Sequence, residues 1–276
     1  MKTPPSPVAD PRRRAALAML AVSALLGACA TAPPPPPIVL VHGAWSDASV
    51  WERVAAELRA RGHTVTAVNL PGHGSDPTPL QALTLAGYVQ AVAQALPADR
   101  PAVVVGHSMA GMVISQLAQN APERVARLVY AAAYLPQNGD SLYKLSMQDG
   151  GSQVGRYWRR DDPKSYSPAT WAAEGLIATV CADCSPADQR RLRATHRAEA
   201  VPPLLGTPVT LSVERFGRVP RTYVHTQNDA TVSFGLQQRM VAAWPSTAVV
   251  ATLPTGRLPM LTQPRAVADA ILQGAR

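Results

Sequence analysis

Ala102-Val103-Val104-Val105-Gly106-His107-Ser108-Met109-Ala110-Gly111 decides the fold. An apolar run of strand formers ends on Gly-His-Ser, and the stretch Met109–Asn120 that follows has helical spacing. The pattern Gly-x-Ser-x-small puts a serine on a tight strand-to-helix turn, where small flanking residues relieve crowding. A helix N-terminus behind the serine favours negative charge developing near it. Ser108 is therefore the candidate nucleophile. The N–H of the next residue, Met109, is the candidate for one half of an oxyanion hole, and His107, inside the turn, should point away from the substrate.

Moving outward, buried runs and helical stretches alternate. Towards the N-terminus lie Ile38–Val41 (strand), Val50–Arg61 (helix), Thr64–Leu70 (strand) and Leu83–Leu96 (helix). Towards the C-terminus lie Val125–Ala132 (strand), then Arg221–Thr226 (strand), Phe234–Ala243 (helix), Ala248–Leu253 (strand) and Arg265–Leu272 (helix). Near-continuous apolar strands separated by helices predict an α/β fold, a mostly parallel, doubly wound sheet covered on both faces. The alternation breaks between about Leu135 and Gly206, where Arg, Asp, Ser, Gln and Trp accumulate and helical patches occur near Ser167–Val180 and Pro186–Glu199. This segment is expected to be an inserted helical cap roofing Ser108. His42-Gly43-Ala44-Trp45 directly after the first strand is the expected early loop, with the Ala44 N–H as the second oxyanion donor and His42 shaping the loop.

These motifs together, Ile38–Trp45, Asn69-Leu70-Pro71-Gly72-His73-Gly74 and Gly106–Met109, with Tyr223–Asp229 and Pro254–Pro264, resemble the α/β-hydrolases related to plant methyl-ester esterases and hydroxynitrile lyases, and their bacterial esterase-like members. The resemblance runs from Ile38 to the C-terminus and is weakest in the insertion. It implies a serine hydrolase acting on small-molecule carboxylic esters through an acyl-enzyme, with no cofactor and no metal. It also implies a triad acid in the loop after Arg221–Thr226, which Asp229 matches. In the lyase branch a threonine follows the early-loop histidine and a lysine follows the catalytic histidine; Gly43 and Leu258 stand at those places here.

The chain departs from the family at the base. The loop after the last strand reads Thr255-Gly256-Arg257-Leu258-Pro259-Met260, so Arg257 occupies the expected histidine position, and no histidine follows His225. An arginine side chain holds its proton far above neutral pH and does not relay one from serine. Three alternatives are open: an inactive relative that keeps the pocket for binding, a variant of an active esterase, or another base, for which His225 and His196 are the candidates. Arg257 is expected either to pair with Asp229 or to swing out into solvent.

The remaining features concern location. Of the net charge of +8, +3 falls within residues 1–28, from Lys2, Arg12, Arg13 and Arg14 against Asp10. The apolar run Ala15–Leu26, 12 residues, is too short to span a bilayer needing about 20. It ends in Leu26-Gly27-Ala28-Cys29, which resembles a bacterial lipoprotein signal. Residues 1–28 are therefore expected to be an export signal. Residues 29–37 should be a lipidation site at Cys29 plus a stiff Pro33–Pro37 spacer, and residues 38–276 the hydrolase domain. The expected location is periplasmic, with the membrane as a partner through the lipid anchor; ordinary cleavage near Ala30 or Ala32 is the alternative. The scattered lysines and arginines form no basic stripe with aromatics, which argues against a nucleic-acid partner. Cys181 and Cys184 are expected to be a local staple or two free thiols.

Overall fold

A computed structural model describes residues 1–2, 34–157, 165–166, 173–196, 199–200 and 205–273. The chain divides into two compact units, Met1–Pro35 and Pro36–Arg276, and the second carries the sheet. The expected export segment beyond Lys2, Cys29 and the alternative cleavage positions near Ala30 and Ala32 lie outside the described residues.

Six strands form one sheet: β1 (Ile38–Val41), β2 (Val65–Val68), β3 (Ala102–His107), β4 (Val125–Ala131), β7 (Arg221–Thr226) and β8 (Thr247–Leu253). Two short strands, β5 (Ser165–Tyr166) and β6 (Glu199–Ala200), pair separately as an antiparallel ribbon. The order in the main sheet is β2-β1-β3-β4-β7-β8, and every neighbouring pair is parallel. Parallel pairing makes each connection a crossover, and these carry α1 (Glu52–Ala60), α2 (Leu85–Ala95), α3 (Ala110–Asn120) and α8 (Phe234–Ala242), while α10 (Pro264–Gln273) follows the last strand. The insertion contributes α4 (Leu142–Met147), α5 (Val154–Tyr157), α6 (Ala173–Val180) and α7 (Pro186–Thr195), and α9 (Pro259–Thr262) follows β8.

The alternation within the strands explains the two-sided cover. Val39 and Val41 join one apolar cluster with α2, α3 and α8; Ile38 and Leu40 join the other with α1 and α10. β3 repeats the division, with Ala102 and Val104 on one face and Val103 and Val105 on the other. The chain leaves β1 for β2 on one side and returns to β3 on the other. The order reverses between β1 and β3, so the loops after these two strands flank a crevice at the carboxyl end of the sheet, where ligands of open α/β sheets bind. Those loops hold Ala44 and Ser108.

Candidate active site

Ser108 follows β3 with φ +59°, and helix α3 starts two residues later. A non-glycine residue in the left-handed region is strained by roughly 1–3 kcal/mol and persists only where its surroundings impose it. Here the Ser108 carbonyl accepts hydrogen bonds from Gly111 N and Tyr134 N, both at 3.0 Å. The early loop presses on the turn as well: a Cβ on Gly43 would lie 2.5 Å from Ser108 Cβ. Trp45 (φ +63°) and Ala132 (φ +47°) are the other non-glycine residues with positive φ among those described. All three follow the ends of sheet strands, so the strain gathers at the crevice.

Ser108, Ala44 and Met109 line one cavity of about 280 Å³, with Tyr134, Thr231 and Leu205. The segment between β4 and β7 adds Leu142, Tyr143, Ser146, Met147, Asp149 and Val154 to the lining. Asp149 turns its carboxylate onto Ser233, accepting from Ser233 N at 2.8 Å and from Ser233 Oγ, and so ties the cap to the start of α8. Nothing in the sequence pointed to Asp149, because an acid between Gln148 and Gly150 reads as an ordinary turn residue.

The histidines near the crevice are structural. His42 donates from Nδ1 to Gly43 O at 2.8 Å and accepts at Nε2 from Leu70 N at 3.1 Å, so both ring nitrogens are committed. Burial, with His73 alongside, pushes its pKa down to about 3. His107 donates from Nε2 to the Arg257 carbonyl at 3.0 Å and turns away from the large cavity. Its burial, with the Arg257 guanidinium nearby, holds it well below the usual imidazole range. The two alternative bases are placed elsewhere. His225 lies in β7, buried, with Nδ1 3.3 Å from Gln237 Oε1, and His196 caps α7 with Nδ1 3.1 Å from Leu192 O. Neither lines the cavity at Ser108.

Asp229 is buried in the loop after β7. Its Oδ1 accepts from Thr231 N (2.7 Å) and Val232 N (2.9 Å), and its Oδ2 accepts from Arg257 Nη1 (2.7 Å). Arg257 is 2% exposed, which excludes the outward orientation. The pairing is not the two-contact fork that planar groups favour. Oδ1 already belongs to the backbone, so Nη1 divides itself between Asp229 Oδ2 and the Ala132 carbonyl at 2.8 Å, while Nη2 is buried with no hydrogen bond among the described residues. The Ala132 contact had no sequence signal, since the two residues are 125 apart.

The base loop has a further brace. Cys181 and Cys184 are disulfide-bonded, and between them Asp183 Oδ2 accepts from Gly256 N at 2.7 Å, one residue before Arg257. Ser108, Asp229 and Arg257 are thus brought to one end of the sheet, with Ala44 and Met109 beside the serine. Among the described residues no group of three or more His, Cys, Asp or Glu side chains forms a metal cluster.

The comparisons agree with this architecture. The chain is 28% identical over 248 residues to the pyrethroid hydrolase of Sphingobium wenxiniae, covering 85% of each protein. It is 26% identical over 240 residues to methylesterase 8 of Arabidopsis thaliana, covering 85% of this chain and 87% of that one. Among solved structures, a pyrethroid hydrolase from Sphingobium faniae superposes with a TM-score of 0.75 at 27% identity, covering 87% of this chain and 97% of that one. Residues 38–270 match the model of the alpha/beta hydrolase family, from the first strand through the base loop and into α10. With its six parallel strands, its serine on the turn after β3 and this match over most of its length, the chain belongs to the alpha/beta hydrolase family.

Proposed function

We propose that this protein carries out acyl chemistry on small carboxylic esters with Ser108 as the acyl acceptor, and that Arg257 holds its turnover low. The observation that carries the reading is Ser108 itself, at φ +59° on a strand–helix turn, flooring a largely apolar cavity beside Ala44 and Met109. Ser108 Oγ attacks the ester carbonyl carbon, the Ala44 and Met109 N–H groups hold the oxyanion, and collapse expels the alcohol to leave an acyl-serine that water cleaves. Relatives described as esterases and hydrolases support the substrate class. The proton from Ser108 has no side-chain acceptor in this mechanism, because a guanidinium paired with Asp229 stands where the family resemblance expects a base; it passes through solvent water to the departing alkoxide, which leaves as the alcohol. Oxyanion-hole catalysis without the complete triad retains about 10³–10⁴-fold over water, a slow but measurable rate.

The test is fluorophosphonate labelling and p-nitrophenyl butyrate turnover of the purified chain beside Ser108→Ala. Slow labelling and slow turnover that both vanish in the variant support the reading. Labelling or turnover that persists unchanged without Ser108 rules it out.

A second reading, a hydrolase-like binding protein, is favoured by the completeness of the Asp229–Arg257 burial. For location, we propose export with acylation at Cys29 and a lipid-anchored, periplasmic mature chain. Mass spectrometry of the mature protein tests this, and an unmodified N-terminus at Thr31 or Pro33 contradicts it.

A further inference from the structure

Arg257 retains an unused donor. The side chain is 2% exposed, its Nη1 donates to Asp229 Oδ2 and Ala132 O, and its Nη2 is buried with no hydrogen bond among the described residues. Leaving a buried donor unmatched costs about 1–3 kcal/mol, and more when the donor is charged. Native structures rarely carry that cost unless another group supplies the acceptor.

The space around Arg257 has the right chemistry for one. Arg257, Ser108, Ala44 and His107 border a small cavity of about 10 Å³, close to the room a single water-sized group needs. Ala44, Trp45 and Ser108 line this cavity and the 280 Å³ cavity alike. The neighbouring acids are already engaged. Asp229 is held by the Thr231 and Val232 N–H groups as well as by Arg257, and Asp149 is taken up by Ser233 and Gly151. Helix α3, 11 residues long, begins just beyond Ser108 and adds the positive end of its dipole.

We propose that this pocket is a receptor for a carboxylate anion, namely a monocarboxylic acid with a short apolar tail. One carboxylate oxygen takes the Arg257 Nη2 donor, the other lies towards the Ala44 and Met109 N–H groups, and the tail occupies the 280 Å³ cavity. Charge-assisted hydrogen bonds of this kind are about twice as strong as neutral ones. The proposal rests on the pocket geometry of the acyl-transfer reading but not on turnover. An esterase must let its acid product go, whereas the arginine here retains it.

The experiment is isothermal titration of the full chain at pH 8 with hexanoate, and with hexanamide as the uncharged match in shape. Hexanoate should bind one-to-one and at least about tenfold more tightly than hexanamide. Arg257→Met should erase that preference. Should that variant fail to fold with Asp229 left unpaired, Arg257→His keeps a partner for Asp229, is mostly neutral at pH 8, and should erase the preference equally. Equal affinity for acid and amide, no heat from hexanoate at millimolar concentration, or a preference that survives loss of the guanidinium would each overturn the proposal. Ser108-dependent turnover measured on the same preparations judges the acyl-transfer reading separately.

Discussion

Ser108 shows how a residue-scale conflict becomes a site. Its backbone is forced to φ +59° by hydrogen bonds to its carbonyl and by the approach of Gly43, and the same forces leave the side chain at the floor of the crevice. Gly111 is where the packing is least forgiving, because a Cβ there would sit 1.9 Å from the Tyr134 carbonyl oxygen, backbone against backbone. Gly111→Ala should therefore cost about 3 kcal/mol, at the upper end of overpacking effects, seen as a lower urea midpoint at unchanged slope. A midpoint within error of the parent would show that the turn is not so constrained. The placement of Ser108, Ala44 and Met109 at one cavity was legible in the sequence because each sits at a fixed offset from a strand end, and that of Asp229 and Arg257 because their loops resemble a family's. The acceptor role of Ala132 was not legible, nor the unmatched Nη2, since both depend on how two loops distant in sequence meet.

Among the elements, the insertion was the least readable. Its polar composition has no period to betray which side faces the sheet, whereas the core strands declare themselves by unbroken burial on two faces. What the insertion contributes is bracing. The Cys181–Cys184 hairpin follows α6, Gln189 from α7 donates to the Cys181 and Cys184 carbonyls, and Asp183 holds Gly256. Both sulfurs are buried, so the disulfide is a structural staple rather than an exposed redox pair. A loop this short removes about 2 kcal/mol of chain entropy from the unfolded state. Reduction should lower stability by that order, read as the difference in urea unfolding with and without reductant. Asp183→Ala should cost a further ~1 kcal/mol through the unmatched Gly256 N–H, while Asp183→Asn, which keeps an acceptor, should recover most of it. If neither change moves the midpoint, the hairpin does not brace the base loop.

For the molecule as a whole, two buried neutral histidines couple the crevice to pH. His42 titrates near 3 in the folded protein against an ordinary value of 6.5, and His107 is displaced in the same direction. Because the folded values are lowered, the unfolded chain takes up protons first as pH falls, and stability is lost below about pH 6.5. His42 alone should account for about 2 kcal/mol between neutrality and pH 5. Urea unfolding at pH 7.5 and 5.0 measures this, and His42→Gln should flatten the dependence even if it lowers stability at both pH values. The central claim is that the fold holds an almost complete acyl-transfer site whose missing part is the base at position 257. It is tested most directly by kcat/KM on p-nitrophenyl butyrate for the parent and for Arg257→His, each with and without Ser108→Ala. The imidazole can take over the contact to Asp229 through Nδ1–H and accept the serine proton at Nε2, so the account predicts a rise of on the order of 10²-fold or more that disappears with Ser108. A parent already turning over at ordinary esterase rates through Ser108, or an Arg257→His variant no faster than the parent, would contradict it.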